Sequence, residues 1–248
     1  MKTICIYNNK GGVGKTSIVG ALAVELVIKG KKVLMVDTDS QGNLSTQFMR
    51  NMPIDNELVD YLKDDTIGLE NCIYKTPYDN LYLIPSKELS NGGQMNSWKI
   101  ADSNNDIVKY LVEDAKKLGF DYLFFDTPPA FSDENKKFML ASDEIIPVLQ
   151  IAKSSMDGLV NYYVGLKKLR GRSETPISDK IIFNQYEKSK AVQKALIPGI
   201  MELNSKKYLV PTDQAFKKAE LNSMALQEIG MKEETQEVLN QIISDIEG

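Results

Sequence analysis

The stretch Thr3-Ile4-Cys5-Ile6-Tyr7-Asn8-Asn9-Lys10-Gly11-Gly12-Val13-Gly14-Lys15-Thr16-Ser17 decides the fold. Thr3–Tyr7 is a short apolar run that reads as a strand, and a helix-period segment begins at Lys15. A strand, a glycine loop and a helix in that order let bare backbone N–H groups close around phosphate oxygens. Gly11, Gly12 and Gly14 supply the backbone freedom and the close approach. Lys15 is placed to reach the β- and γ-phosphates, and the Thr16 hydroxyl to coordinate Mg²⁺. Ser17, at the helix start, is placed to meet the α-phosphate. The implied ligands are ATP and Mg²⁺.

Outward from this loop, short apolar runs alternate with amphipathic segments to the end of the chain. Strands are expected at Thr3–Tyr7, Lys32–Val36, Leu81–Ile84, Tyr122–Phe125, Glu144–Leu149, Ile181–Phe183 and Tyr208–Val210. Helices are expected near Lys15–Lys29, Asp106–Leu118, Ser132–Leu140, Ser154–Leu169, Ala191–Glu202, Asp213–Leu226 and Lys232–Ile246. Continuous apolar runs such as Leu123-Phe124-Phe125 suit parallel strands covered on both faces. The alternation implies an α/β fold, a doubly wound and mostly parallel sheet with helices on both faces. Residues 51–80 and 86–104 read as insertions at the sheet's edge, and residues 1–248 as one domain.

Two further segments carry carboxylates. Val36-Asp37-Thr38-Asp39-Ser40-Gln41-Gly42-Asn43 ends the second strand, and Tyr122-Leu123-Phe124-Phe125-Asp126-Thr127-Pro128-Pro129-Ala130 ends a later one. Carboxylates at the carboxyl ends of parallel strands point into the crevice where nucleotides bind. Asp126 on a rigid apolar strand is a Mg²⁺-site aspartate, acting through a water. Asp37 and Asp39, two residues apart on an extended segment, share a face.

The loop lacks the usual first glycine: Asn9 stands there, followed by Lys10. This resembles the deviant Walker A motif, K-G-G-x-G-K-[ST], of the ParA/MinD superfamily of P-loop ATPases. The run Asp37–Asn43 resembles the D-x-D-P-Q-G-N segment of its ParA (Soj-like) branch, with Ser40 in place of proline. The resemblance covers nearly the whole chain. It implies that Lys10 reaches across a dimer interface to the partner subunit's nucleotide, where a cationic arm stabilises the transferring phosphoryl group. Lys10, Lys15 and Asp39 are then the catalytic candidates, with Asp39 positioning or deprotonating the attacking water. Thr16, Asp37 and Asp126 are the metal candidates. It also implies that Asn184, after Ile181-Ile182-Phe183, and the loop containing Pro211 and Asp213 hold the adenine. Val13 completes the phosphate loop.

Composition narrows the alternatives. Histidine is absent, which excludes Ser-His-Asp and Cys-His catalysis and any His-ligated metal. Cys5 and Cys72 are far apart and read as reduced thiols. No apolar run approaches the roughly 20 residues of a membrane span. The strand begins almost at Met1, leaving no room for a signal peptide or a preceding helix-turn-helix, so a cytoplasmic location is expected. The formal net charge is −4. Acidic residues concentrate after Glu228, and the rest of the chain is close to neutral, so a local basic face is allowed. Glu233–Gly248 carries no Lys or Arg, unlike the basic membrane-binding helix that ends MinD-like proteins. No membrane partner is expected.

The ParA resemblance implies a homodimer that forms around ATP, binds double-stranded DNA without sequence preference, and is reset by hydrolysis that a ParB-like centromere-binding adaptor stimulates. Candidate phosphate contacts are Lys188, Lys190, Lys194, Lys217 and Lys218, with a second cluster at Lys167, Lys168, Arg170 and Arg172. No arginine finger is evident, so unassisted turnover is expected to be slow. Two other readings share the same ATP site: a positioning ATPase for a protein or organelle cargo, and an ATP-gated scaffold with negligible turnover.

Overall fold

Apolar side chains alternate strictly along the first strand, and that alternation builds the molecule. In β1 (Lys2–Tyr7), Ile4 and Ile6 enter one core while Cys5 and Tyr7 enter a second core on the opposite face. A strand buried on both faces must lie inside a sheet sandwiched between helices. The computed structural model describes residues 1–49, 52–86, 106–153, 159, 164–165 and 179–248.

The other strands are β2 (Val33–Asp37), β3 (Tyr74–Lys75), β4 (Leu81–Ile84), β5 (Tyr122–Asp126), β6 (Glu144–Gln150), β7 (Lys180–Tyr186) and β8 (Lys206–Pro211). They form one eight-stranded sheet in the order β3-β4-β2-β5-β1-β6-β7-β8. Every pairing in it is parallel except the short edge pair β3–β4. Helices are α1 (Lys15–Ile28), α2 (Asn43–Met49), α3 (Leu58–Lys63), α4 (Ile107–Lys117), α5 (Asp133–Leu140), α6 (Ala191–Met201), α7 (Gln214–Asn222), α8 (Leu226–Ile229) and α9 (Glu233–Glu247). Side chains of α1, α2, α8 and α9 fill one core, and those of α3, α4, α5 and α6 fill the other. The doubly wound parallel sheet expected from the sequence is the observed fold.

Differences are local and have physical reasons. The segment Asp213–Leu226 is two helices rather than one. Ser223 takes φ 50°, and the N–H groups of Ser223 and Met224 turn back to Glu220 O and Ala219 O, which ends α7. The polar pair Asn184-Gln185 does not end β7, because β6 and β8 keep it in the ladder past the apolar run. Edge residues 51–80 contribute α3, a 3₁₀ turn at Leu69–Cys72 and β3. Most of the expected helix Ser154–Leu169, the cluster Lys167–Arg172 and most of 86–104 lie outside the described residues; residues 159 and 164–165, which are described, are helical.

α9 spends its apolar face on the core. Leu239, Ile242, Ile243 and Ile246 are buried, while Glu247 pairs with Lys29 at 2.7 Å and Asp245 with Lys206 at 2.7 Å. Among the described residues no helix is long and apolar enough to cross a membrane.

Candidate functional site

The carboxyl ends of β1, β2 and β5 converge on the loop Asn8–Gly14. Gly14 caps α1 with φ +89°, a conformation that penalises any side chain, and a Cβ there would collide with the amide of Asn184. The α1 N-terminus has no side-chain cap and no acidic residue in its first turn. Its N–H groups and dipole are therefore available to an anion.

The two lysines of the loop differ in environment. Lys15 is buried, and that burial pulls its pKa down, opposed by the nearby charges of Asp126 and Asp39. Lys10 is exposed and makes no ion pair among the described residues. Its backbone N–H donates to Asn8 Oδ1 at 3.0 Å, while the buried Asn8 amide donates to Val148 O. Asn8 thus anchors the lysine's backbone to β6 and leaves its side chain free.

Asp37 and Asp126 sit opposite one another on β2 and β5. Both are fully buried, and desolvation is the main cause pushing both pKa values up. The Asp126 charge adds to the rise at Asp37. Thr16 and Lys15 oppose the rise at Asp126, while Asp39 adds to it. Asp37 Oδ2 accepts from Ser45 N at 2.9 Å and Ser45 Oγ at 2.7 Å, and Oδ1 from Asp39 N at 3.1 Å. Among the described residues neither carboxylate oxygen of Asp126 meets a donor in full hydrogen-bond geometry, although Thr16 approaches closely enough to lower its pKa as a hydrogen-bond donor would.

A buried carboxylate left bare is costly unless something outside the chain satisfies it. A hydrated divalent cation would answer that demand, and Thr16, Asp126 and Asp37 are the residues that would hold it. The donor set is all oxygen, as Mg²⁺ prefers. The residues therefore fit the metal.

Asp39 is partly exposed, and its Oδ1 accepts from Gln41 N at 3.0 Å in a local turn. Thr38 ties this segment to β5 by donating its hydroxyl to Asp126 O at 2.8 Å. On the other side, Asn135 Nδ2 donates to Pro128 O at 3.1 Å and Ala130 O at 2.7 Å, holding the Thr-Pro-Pro turn.

The later candidates are arranged differently. Asn184 is buried with its amide N–H committed to Val13 O at 2.9 Å, directly under the loop. Pro211 is buried at the end of β8. The Asp213 carboxylate caps α7 through Ala215 N at 3.0 Å and also accepts from Lys232 N and Thr235 Oγ1. Lys188 pairs with Glu234 at 2.6 Å and Lys190 with Glu187 at 2.7 Å. Lys194, Lys217 and Lys218 are exposed, without an ion pair among the described residues.

Residues 1–179 match the family described as an AAA domain. The chain belongs to that family, as a ParA/Soj-type member of the ParA/MinD superfamily of P-loop ATPases. The chromosome-partitioning ATPase Soj of Treponema pallidum is 29% identical over 188 residues, 75% of this chain and 72% of Soj. An ATP complex of a McdA variant from Cyanothece superposes with a TM-score of 0.80 at 19% identity, over 99% of this chain and 96% of McdA. The septum site-determining protein MinD of Pyrococcus horikoshii, complexed with Mg-ADP, gives 0.77 at 22% identity, over 99% and 95%. At these identities the two structures speak to the fold alone. Within this ParA/Soj-type chain, Ser45, Asn8 and Gln150 are site residues that no motif in the sequence singles out.

Proposed function

We propose that this chain is an ATP-gated DNA partition ATPase. Two copies close face to face around ATP, the dimer holds double-stranded DNA without sequence preference, and hydrolysis releases it. The observation that carries this reading is the split between the two loop lysines. Lys15 is buried among the phosphate-loop residues, whereas Lys10 is exposed, free of ion pairs among the described residues, and fixed at its backbone by Asn8. A lysine placed outside a nucleotide site that already has its own lysine suits a second subunit's γ-phosphate.

Chemistry at this site is hydrolysis of the γ-phosphoryl bond. Asp39 orients the attacking water and takes up its proton. The water oxygen bonds to Pγ as the bond to the bridging oxygen breaks, and ADP leaves. Thr16 and Asp126 would hold Mg²⁺ and Asp37 would support its hydration; bound there, it would neutralise charge on the phosphates. Lys15, and Lys10 from the other copy, offset the charge that develops on the leaving oxygen. Lys194, Lys217 and Lys218 offer free ammonium groups to DNA. Lys188 and Lys190 are in exposed ion pairs, which are weak enough for DNA phosphates to displace. A centromere-binding adaptor accelerates the slow unassisted step, and the ATP form resides on the nucleoid in the cytoplasm.

Light scattering of the chain with ATP or ADP tests this. Lys10→Ala should bind nucleotide yet stay monomeric in ATP. A Lys10→Ala protein that dimerises as wild type does contradicts the reading.

A further inference from the structure

Two side-chain amides tie down consecutive carbonyls of the phosphate loop. Gln150, the last residue of β6, donates Nε2 to Gly12 O at 3.3 Å. Asn184, on β7, donates Nδ2 to Val13 O at 2.9 Å. The two residues are register partners across β6 and β7, so one rung of the sheet supports both bonds. The support does not stop there. Gln185 is held at φ 59° beside a bulge in β7, where its side-chain oxygen accepts from the Gln150 amide. Gln193 of α6 in turn donates to Gln185 O at 3.3 Å.

Peptide geometry converts these bonds into a statement about the ligand site. In a trans peptide the C=O and the following N–H point in opposite directions. Holding Gly12 O therefore aims the Val13 N–H the other way, and holding Val13 O aims the Gly14 N–H. Those N–H groups belong to the anion-facing surface of a glycine loop. Asn184 is nine-tenths buried, and its amide fills the space a Cβ on Gly14 would need.

We propose that Asn184 and Gln150 are positioning residues that aim the Val13 and Gly14 N–H groups at the triphosphate, so that both govern phosphate affinity. This rests on the reading that the loop takes a nucleotide's phosphates. The bond to Val13 O uses one of the two Asn184 Nδ2 hydrogens, so supporting the loop and touching a base do not exclude one another.

The test is calorimetric binding of Mg²⁺ with inorganic tripolyphosphate, ATP and GTP to wild type, Asn184→Ala, Gln150→Ala and Lys15→Ala. Asn184→Ala should weaken tripolyphosphate, which has no base, by about tenfold for one lost buried hydrogen bond. Gln150→Ala should show the same pattern with a smaller loss, about threefold, because its bond is longer. Unchanged tripolyphosphate affinity in Asn184→Ala, with ATP falling toward GTP, makes Asn184 a base reader and overturns the proposal. Gln150 is only partly buried, so Gln150→Ala decides alone if Asn184→Ala does not fold, and unchanged tripolyphosphate affinity there is equally fatal. Lys15→Ala separates the two levels. If it keeps tripolyphosphate binding, the phosphate-loop reading itself fails; if it alone loses binding, only the role given to Asn184 and Gln150 fails.

Discussion

Asp37 and Asp126 occupy opposing register positions at the carboxyl ends of neighbouring parallel strands, two fully buried carboxylates side by side, with the Lys15 charge acting on Asp126. The sheet register forces this proximity. The pair destabilises the chain alone, and under the proposed function it would become a binding feature when a divalent cation neutralises it.

The first prediction follows from that pair. Burial raises both pKa values from the ordinary carboxylate range toward neutrality. Groups raised in the folded state favour folding while protonated, and that contribution is lost as pH rises through the folded values. Without metal, thermal stability should fall from pH 6 to pH 8, and Mg²⁺ with nucleotide should raise the melting temperature more at pH 8 than at pH 6. Asp126→Asn removes one buried charge. It should melt higher than wild type at pH 8 without Mg²⁺, by about 2–4 °C for each kcal/mol relieved, and should lose the Mg²⁺ response. Calorimetric melts across pH check both parts.

Ser45 links the proposed metal site to the chain beyond β4: its hydroxyl donates to Asp37 and accepts from Ser86 N at 2.9 Å. Ser45→Ala should cost about 1–2 kcal/mol of stability and raise the Mg²⁺ concentration needed for tight nucleotide binding. Ser45→Thr keeps the hydroxyl and should restore the Mg²⁺ titration. A titration curve in Ser45→Ala that overlays wild type sinks this role.

The opposite end of the sheet offers a control that is stability without function. Glu144 on β6 pairs with Lys180 at 2.7 Å, both nearly buried, and with Lys2 at 3.2 Å. Glu144→Ala leaves Lys180 buried without its closest carboxylate and should cost about 3 kcal/mol, read by denaturant unfolding. Nucleotide affinity of the folded variant should be unchanged, because the pair lies at the N-terminal edge of strands whose carboxyl ends form the site.

The parallel core was legible because strands buried on both faces leave continuous apolar runs, as in Leu123-Phe124-Phe125. The loop was legible because phosphate binding needs glycines and a lysine at fixed spacing. What escaped is the support beneath it. Asn8 and Gln150 bond to backbone carbonyls 140 and 138 residues away, so no local pattern marks them, and the bond from Asn184, itself a named candidate, to Val13 O 171 residues away was equally hidden. The short helix α2 was hidden because Asn43–Met49 reads as part of the aspartate turn, and its existence is what delivers Ser45 to Asp37. The Asp213 carboxylate, in the loop named for the adenine, accepts from Ala215, Lys232 and Thr235, a capping role that an Asp before a helix also signals.

Nucleotide-gated DNA retention tests the central claim most directly. Binding of a fluorescent duplex of arbitrary sequence should be measured by anisotropy with Mg-ATP and with Mg-ADP, in wild type and Lys15→Ala. Wild type should hold DNA in ATP, release it in ADP and weaken steeply with added salt, while Lys15→Ala should fail to bind in either. Equal DNA binding in ATP and ADP, or ATP-like binding by Lys15→Ala, contradicts an ATP-gated partition switch.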